Sequence, residues 1–125
     1  MARDPSHPNL EQIDIPMVLS CLGEPVRLAI VLTLAEGRGQ NAELRCGAFN
    51  HLSSKSSLSY HMIKLRDAGL IRSRITGSNH FVQLRTGEFE ERFPGLLDPL
   101  LGAARHTPAV ARLMAAASVP AAELD

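Results

Sequence analysis

Apolar residues recur along this chain in two rhythms, and the switch between them marks out its elements. After a polar opening, MARDPSHPNLEQ, the run DIPMVLSCL puts Asp14 where an N-cap belongs and Pro16 in the first helical turn. Gly23 interrupts, and GEPVRLAIVLTLAEG restarts a helix with Pro25 at its head. Val26, Ala29, Ile30, Thr33 and Leu34 share one face of it, and Gly37 supplies the stop. A turn at RGQ leads to NAELRCGAF, which reads as a short helix capped by Asn41 with Leu44 and Phe49 inward. A longer helix is predicted over about 54–68, capped by Ser53 or Ser54. Leu58, Met62 and Leu65 form its buried stripe, and Gly69 is its left-handed stop, with Leu70 folding back on the helix end.

The period then drops to two. In LIRSRITGSNHFVQLR, Ile71, Ser73 and Ile75 face one way and Arg72, Arg74 and Thr76 the other, TGSN is turn chemistry, and HFVQLR returns as a second strand. Helical spacing resumes in GEFEERF, with Thr86 as its expected cap, and in PGLLDPLLGAA, which carries Leu96, Leu97, Leu100 and Leu101. Thr107 and Pro108 open a last helix, AVARLMAAA. These short apolar tail helices, with the first helix, are expected to bury against a second copy of the chain. The organisation predicted is a flexible arm over 1–12, one domain over 13–104, and a C-terminal helix and tail over 105–125 that supports the dimer or the core.

Helix, turn, a helix with a polar front, then a basic hairpin is the order of a winged helix-turn-helix, a mainly α fold with a small β-hairpin. That order explains an oddity of the 54–68 helix. Its front, SSKSSLSY, is small and hydroxylated, at a cost of a few tenths of a kcal/mol per serine against alanine, about 0.3–0.5. A helix that enters the major groove N-terminus first needs small groups that approach base edges, and its free N–H groups favour phosphate. Lys55, Ser56, Ser57, Ser59 and Tyr60 are the candidates at the front, with Lys64 a turn further on.

Charge sharpens this. The net charge of zero conceals eight bases against two acids between Gly37 and Arg85, a balance of +6, while the remainder carries five bases against eleven acids. A basic centre between acidic ends suits a polyanionic partner, double-stranded DNA. At 125 residues with one Tyr and no Trp, the chain fits one domain with an aliphatic core. Two cysteines are too few for a disulfide framework, and no apolar run is long enough to span a bilayer, so a cytoplasmic protein without a membrane partner is expected.

The stretches GEPVRLAIVLTLAEG and LSSKSSLSYHMIKLRDAGLIRSRITGSNHFVQLR resemble the ArsR/SmtB family of bacterial transcriptional repressors. The resemblance covers roughly residues 16–101. It implies a homodimer paired through its first and last helices, binding an imperfect inverted repeat and leaving it when an effector binds. Carried over by position, the groove contacts fall on Lys55, Ser56, Ser57, Ser59 and Tyr60, and the wing contacts on Arg74, Ser78, Asn79 and His80.

Many members of that family sense metals, through paired thiolates before the recognition helix or through Asp, His and Glu on the last long helix. Here Cys46 stands alone in ELRCGAF, and GEFEERFPGLLDPLLGAARH has no His before His106. No metal site or cofactor is therefore predicted, and the effector is left open. Cys21 and Cys46 are redox candidates, with Arg45 placed to lower the pKa of Cys46, although a free Cys is more often a small buried hydrophobe. His61 adjoins the buried stripe and reads as a packing histidine, and Arg27 as a structural ion-pair partner. No nucleophile–base or paired-carboxylate constellation marks an enzyme. The competing readings are an activator or a metal- or redox-responsive variant with the same fold, and a winged-helix module for protein–protein contact.

Overall fold

The computed structural model describes residues 5–37 and 43–116. Six α-helices and a three-stranded antiparallel sheet make up the described fold, a winged helix-turn-helix. Helix α1 spans Ile15–Leu22, capped as expected by Asp14, which accepts a hydrogen bond from Met17 N at 3.0 Å. Helix α2, Pro25–Ala35, is capped by Glu24, whose carboxylate accepts from the amides of Val26 and Arg27. The single face expected of α2 is too narrow. Val31 and Leu32 are buried beside Ala29, Ile30 and Leu34, because α2 is the central helix and α1, α3, α5 and α6 pack around it.

The largest departure from expectation lies in 41–49. Asn41 is outside the described residues. Beyond it the chain forms a strand, β1 (Glu43–Arg45), and a 3-10 turn, Cys46–Phe49, in place of one short helix. Pairing overrides local propensity: Leu44 lies opposite Val82 and Arg45 opposite Phe81, so β1 extends the hairpin to a third strand. Gly47 also weakens any helix there. Phe49 still points inward and is fully buried.

Helix α3, Lys55–Asp67, keeps closely to its predicted bounds. Ser54, the cap, accepts from Ser57 N at 3.3 Å. Leu58, Met62 and Leu65 are buried as the stripe required. At the far end Leu70 N donates to Leu65 O and Gly69 N to Arg66 O, the paired bonds of a Schellman stop. Gly69 has φ +83°, and a Cβ there would run into Ile13, so both conformation and space require glycine.

Strands β2 (Ile71–Thr76) and β3 (Asn79–Leu84) pair from Ile71–Leu84 to Thr76–Asn79 around a two-residue loop, and β3 is the central strand. Ile71 and Ser73 are buried, while Arg72, Arg74 and Thr76 are exposed, as the alternation predicted. The tail forms α4 (Thr86–Arg92), α5 (Leu97–Ala104) and α6 (Pro108–Ala116). Thr86 is the first residue of α4, not its cap; Arg85 holds the cap position, with its side chain engaged elsewhere. Val110 seats α6 on α2.

The described part of the expected arm is tied down. His7 Nε2 accepts from Ser73 N at 2.9 Å and Pro8 O accepts from Arg85; just beyond the arm, Ile13 O accepts from Arg92. No single described helix is long and apolar enough to cross a membrane.

Candidate nucleic-acid interface

Helix α3 divides lengthwise. Its buried stripe faces α2 and the sheet, and its opposite side exposes Lys55, Ser56, Ser59, Tyr60, Ile63 and Lys64, with Ser57 half-buried at the edge. From Lys55 to Arg66 the helix has no acidic residue. The free amides of its first turn add partial positive charge at the same end. Tyr60 is 53% exposed and is steadied from one turn away by Lys64, whose Nζ lies 5.3 Å from the ring centroid.

What fixes the helix in this orientation is a polar clamp at its back. Arg27 Nε donates to Cys21 O at 2.6 Å, and its NH1 lies 3.3 Å from His61 Nδ1. His61 Nε2 is in turn 3.7 Å from Glu24, the cap of α2. With Arg27 donating, Nδ1 accepts and the ring proton sits on Nε2, towards the carboxylate. Burial, with Arg27 adding to it and Glu24 opposing, holds His61 below the usual histidine range, so the imidazole is neutral near pH 7. His61 thus bonds within the fold, and Arg27 joins α1, α2 and α3 through a carbonyl and a histidine rather than the expected ion pair.

The wing is less open than its composition implies. Ser78 and Asn79 are exposed at the tip, where Gly77 turns the chain at φ +59°. Arg74, proposed from sequence as a wing contact, is held in a bidentate pair with Glu43 (3.0 and 2.8 Å), bonds Thr76 Oγ1, and stacks on Phe81 at 4.6 Å. That guanidinium keeps the Glu43 carboxyl below its ordinary range. His80 is half-buried, and its Nε2 is enclosed with no hydrogen-bond partner among the described residues. At the wing's base Glu88 bridges Arg72 and the buried Arg85.

The structure therefore gathers the α3 candidates and the tip residues Ser78 and Asn79 on exposed surface, pairs the exposed Arg74 with Glu43, and half-buries His80. Two features of this face escaped sequence reasoning. Ile63 is 45% exposed beside Tyr60, a position that its departure from the Leu58–Met62–Leu65 stripe already signalled. Glu43, as partner of Arg74, depended on β1, which periodicity did not reveal.

Neither cysteine is placed as an activated thiol. Both are free; burial pushes Cys21 up to about 11 against the pull of Arg27 and Lys64, and burial raises Cys46 as well. Arg45 lies over the Phe81 ring at 5.6 Å. Among the described residues, no group of three or more His, Cys, Asp or Glu is placed to hold a metal ion.

No family model matches the chain. It is 35% identical over 86 residues to the uncharacterized HTH-type transcriptional regulator YceK of Bacillus subtilis (strain 168), a match spanning 66% of this chain and 82% of the relative.

Proposed function

We propose, from the premise that this chain belongs to the HTH-type transcriptional regulators, that it is an effector-released repressor of the ArsR/SmtB type. It acts as a homodimer on an inverted-repeat operator. The observation that carries the reading is the acid-free exposed side of α3, which presents Lys55, Ser56, Ser59, Tyr60 and Lys64 together, with Lys55 and Ser56 at the helix's positive end. Lys55 and Lys64 bind phosphate; Ser57, Ser59 and Tyr60 read base edges; Ser78 and Asn79 track the neighbouring groove, with Arg74 and His80 behind them. Dimerisation is supported by Met17 and Leu19, 44% and 49% exposed on α1, and by an apolar groove where α1 and α2 meet α5, lined by Leu19, Leu22, Leu28 and Leu100. In this reading residues 13–104 form the DNA-binding unit and 105–125 support the dimer.

A second reading has one observation in its favour. Tyr60 and Ile63 form an apolar spot on the exposed side of α3, which suits a protein partner as well as a thymine methyl. A labelled duplex from upstream of the protein's own gene, titrated at two salt concentrations, separates the two. Tight, salt-sensitive anisotropy gain over a scrambled duplex supports the repressor. No preference and no salt dependence moves the weight to the protein-contact module.

A further inference from the structure

A cavity of about 700 Å3 opens between α3, the 3-10 turn Cys46–Phe49 and the inner face of the hairpin. That volume lies within the range of small-molecule sites, ~300–1,000 Å3. Leu58, Met62 and Ile63 give it an apolar wall; Arg66, His80 and Lys55 bring nitrogen to it. No acidic side chain lines it among the described residues.

We infer that this cavity binds a small organic acid, its apolar body against Leu58, Met62 and Ile63 and its carboxylate towards Arg66 and His80. Two orphan nitrogens carry the inference. Arg66 Nε and His80 Nε2 are both enclosed, and neither has a hydrogen-bond partner among the described residues. Asp67 Oδ1 stands 3.8 Å from Arg66 Nε, too far for a hydrogen bond. An enclosed guanidinium nitrogen left unbonded is costly, and an anion is the partner that satisfies it most strongly. His80 is held neutral by burial and by Arg66, so it offers one N–H without a second fixed charge.

The inference deepens the proposed function and rests on it for one consequence. Lys55, Ser59 and His80 belong both to the cavity and to the proposed DNA-contacting set. An acid in the cavity draws Lys55 and His80 inward and lowers affinity for DNA; by linkage, DNA lowers affinity for the acid by the same factor.

The test uses 2-naphthoate, whose own fluorescence reports binding, against the neutral 2-naphthamide. Saturable binding of the acid with the amide about tenfold weaker or worse is expected, since a charge-assisted hydrogen bond is lost. Arg66→Gln, with a side chain 23% exposed and a thermal melt to confirm folding, removes that discrimination. His80→Phe, which keeps the ring volume, is expected to reduce it. Saturating naphthoate weakens binding of a random-sequence duplex at low salt by about fivefold or more. No saturable binding below about 1 mM, equal binding of acid and amide, or discrimination intact in Arg66→Gln overturns the site. Acid binding by a protein that never binds duplex leaves the cavity site standing and refutes the regulator; duplex binding without acid binding does the reverse.

Discussion

Glu88 is the acid that neutralises the buried Arg85, so Glu88→Gln isolates the worth of that pairing. The Arg85 side chain is 2% exposed, and its guanidinium donates to Glu88 at 3.0 and 2.8 Å and to Pro8 O at 3.0 Å. Glu88 also accepts from Arg72 at 2.8 Å. Hydrogen bonds from Arg85 first, then Arg72, hold the Glu88 carboxyl down at about 2. Removing one partner of a buried pair costs ~3–5 kcal/mol. Glu88 is 40% exposed, so solvent screens its share, and Pro8 O and the glutamine oxygen remain as acceptors. The expected loss is therefore about 1–2 kcal/mol near pH 7. Because the folded pKa lies below the unfolded one, the unfolded chain binds more protons in the acid range. The stabilisation is full above the unfolded carboxylate value of 4.5 and is lost as pH falls towards about 2. Urea unfolding of both proteins, monitored by circular dichroism at pH 7, 4 and 2.5, measures the gap. A gap that narrows through that window is expected. A gap of constant size, or none at pH 7, refutes charge pairing as the basis of the cluster.

Gly69→Ala should lower stability by about 2–4 kcal/mol in the same urea assay, from ~1–2 for a left-handed alanine and more for displacing Ile13; a loss under about 0.5 would refute the close approach. Lys55→Ala should weaken binding to every duplex and reduce the slope of log affinity against log salt by about one per site, and an unchanged slope removes Lys55 from the contacts. Ser57→Ala and Tyr60→Ala should shift which operator variants are preferred in competition titrations; equal losses on all sequences would make both residues backbone contacts. Glu43→Gln should tighten non-specific binding by releasing Arg74, and should have no such effect in an Arg74→Ala background; the same gain in both backgrounds would show that Glu43 acts only by repelling phosphate.

Legible in the sequence was whatever a short window encodes. The cap at Ser54, the Leu58–Met62–Leu65 stripe and the stop at Gly69 are local signals, and α3 obeys them closely. The hairpin was equally plain, because alternation and TGSN sit next to each other. The 41–49 segment misled because its structure is decided by Val82 and Phe81, far along the chain, and no window containing Leu44 includes them. The candidate face was legible in the same unequal way. Exposure of the α3 residues is set by helical period alone, whereas the burial of His80 and the capture of Arg74 by Glu43 depend on three-strand pairing.

Of the eight cations in the basic segment, Arg38 lies outside the described residues; Arg72 and Arg85 are engaged by Glu88 and Arg74 by Glu43, while Arg66 lies near Asp67 and lines the cavity. Among the described residues no acid pairs with Arg45, Lys55 or Lys64, and the two lysines lie on the exposed side of α3. The electrostatic face is thus concentrated on α3. Two or three phosphate contacts per chain give a salt slope of about −2 to −3 per chain, at ~0.9 per contact. A markedly steeper slope would require the wing arginines to exchange carboxylate for phosphate. The Arg74–Glu43 pair is half-exposed, and such pairs are worth ~0.2–1 kcal/mol, so phosphate can compete for Arg74. Arg85 is nearly enclosed and cannot be given up without opening the base of the wing. The slope therefore reads the number of arginines the wing exchanges: a shallow value leaves register and affinity to α3, and a value one unit steeper per chain means that one wing arginine, Arg74 or the equally exposed Arg72, swaps its carboxylate for DNA, with loss of the extra unit in Arg74→Ala assigning it to Arg74.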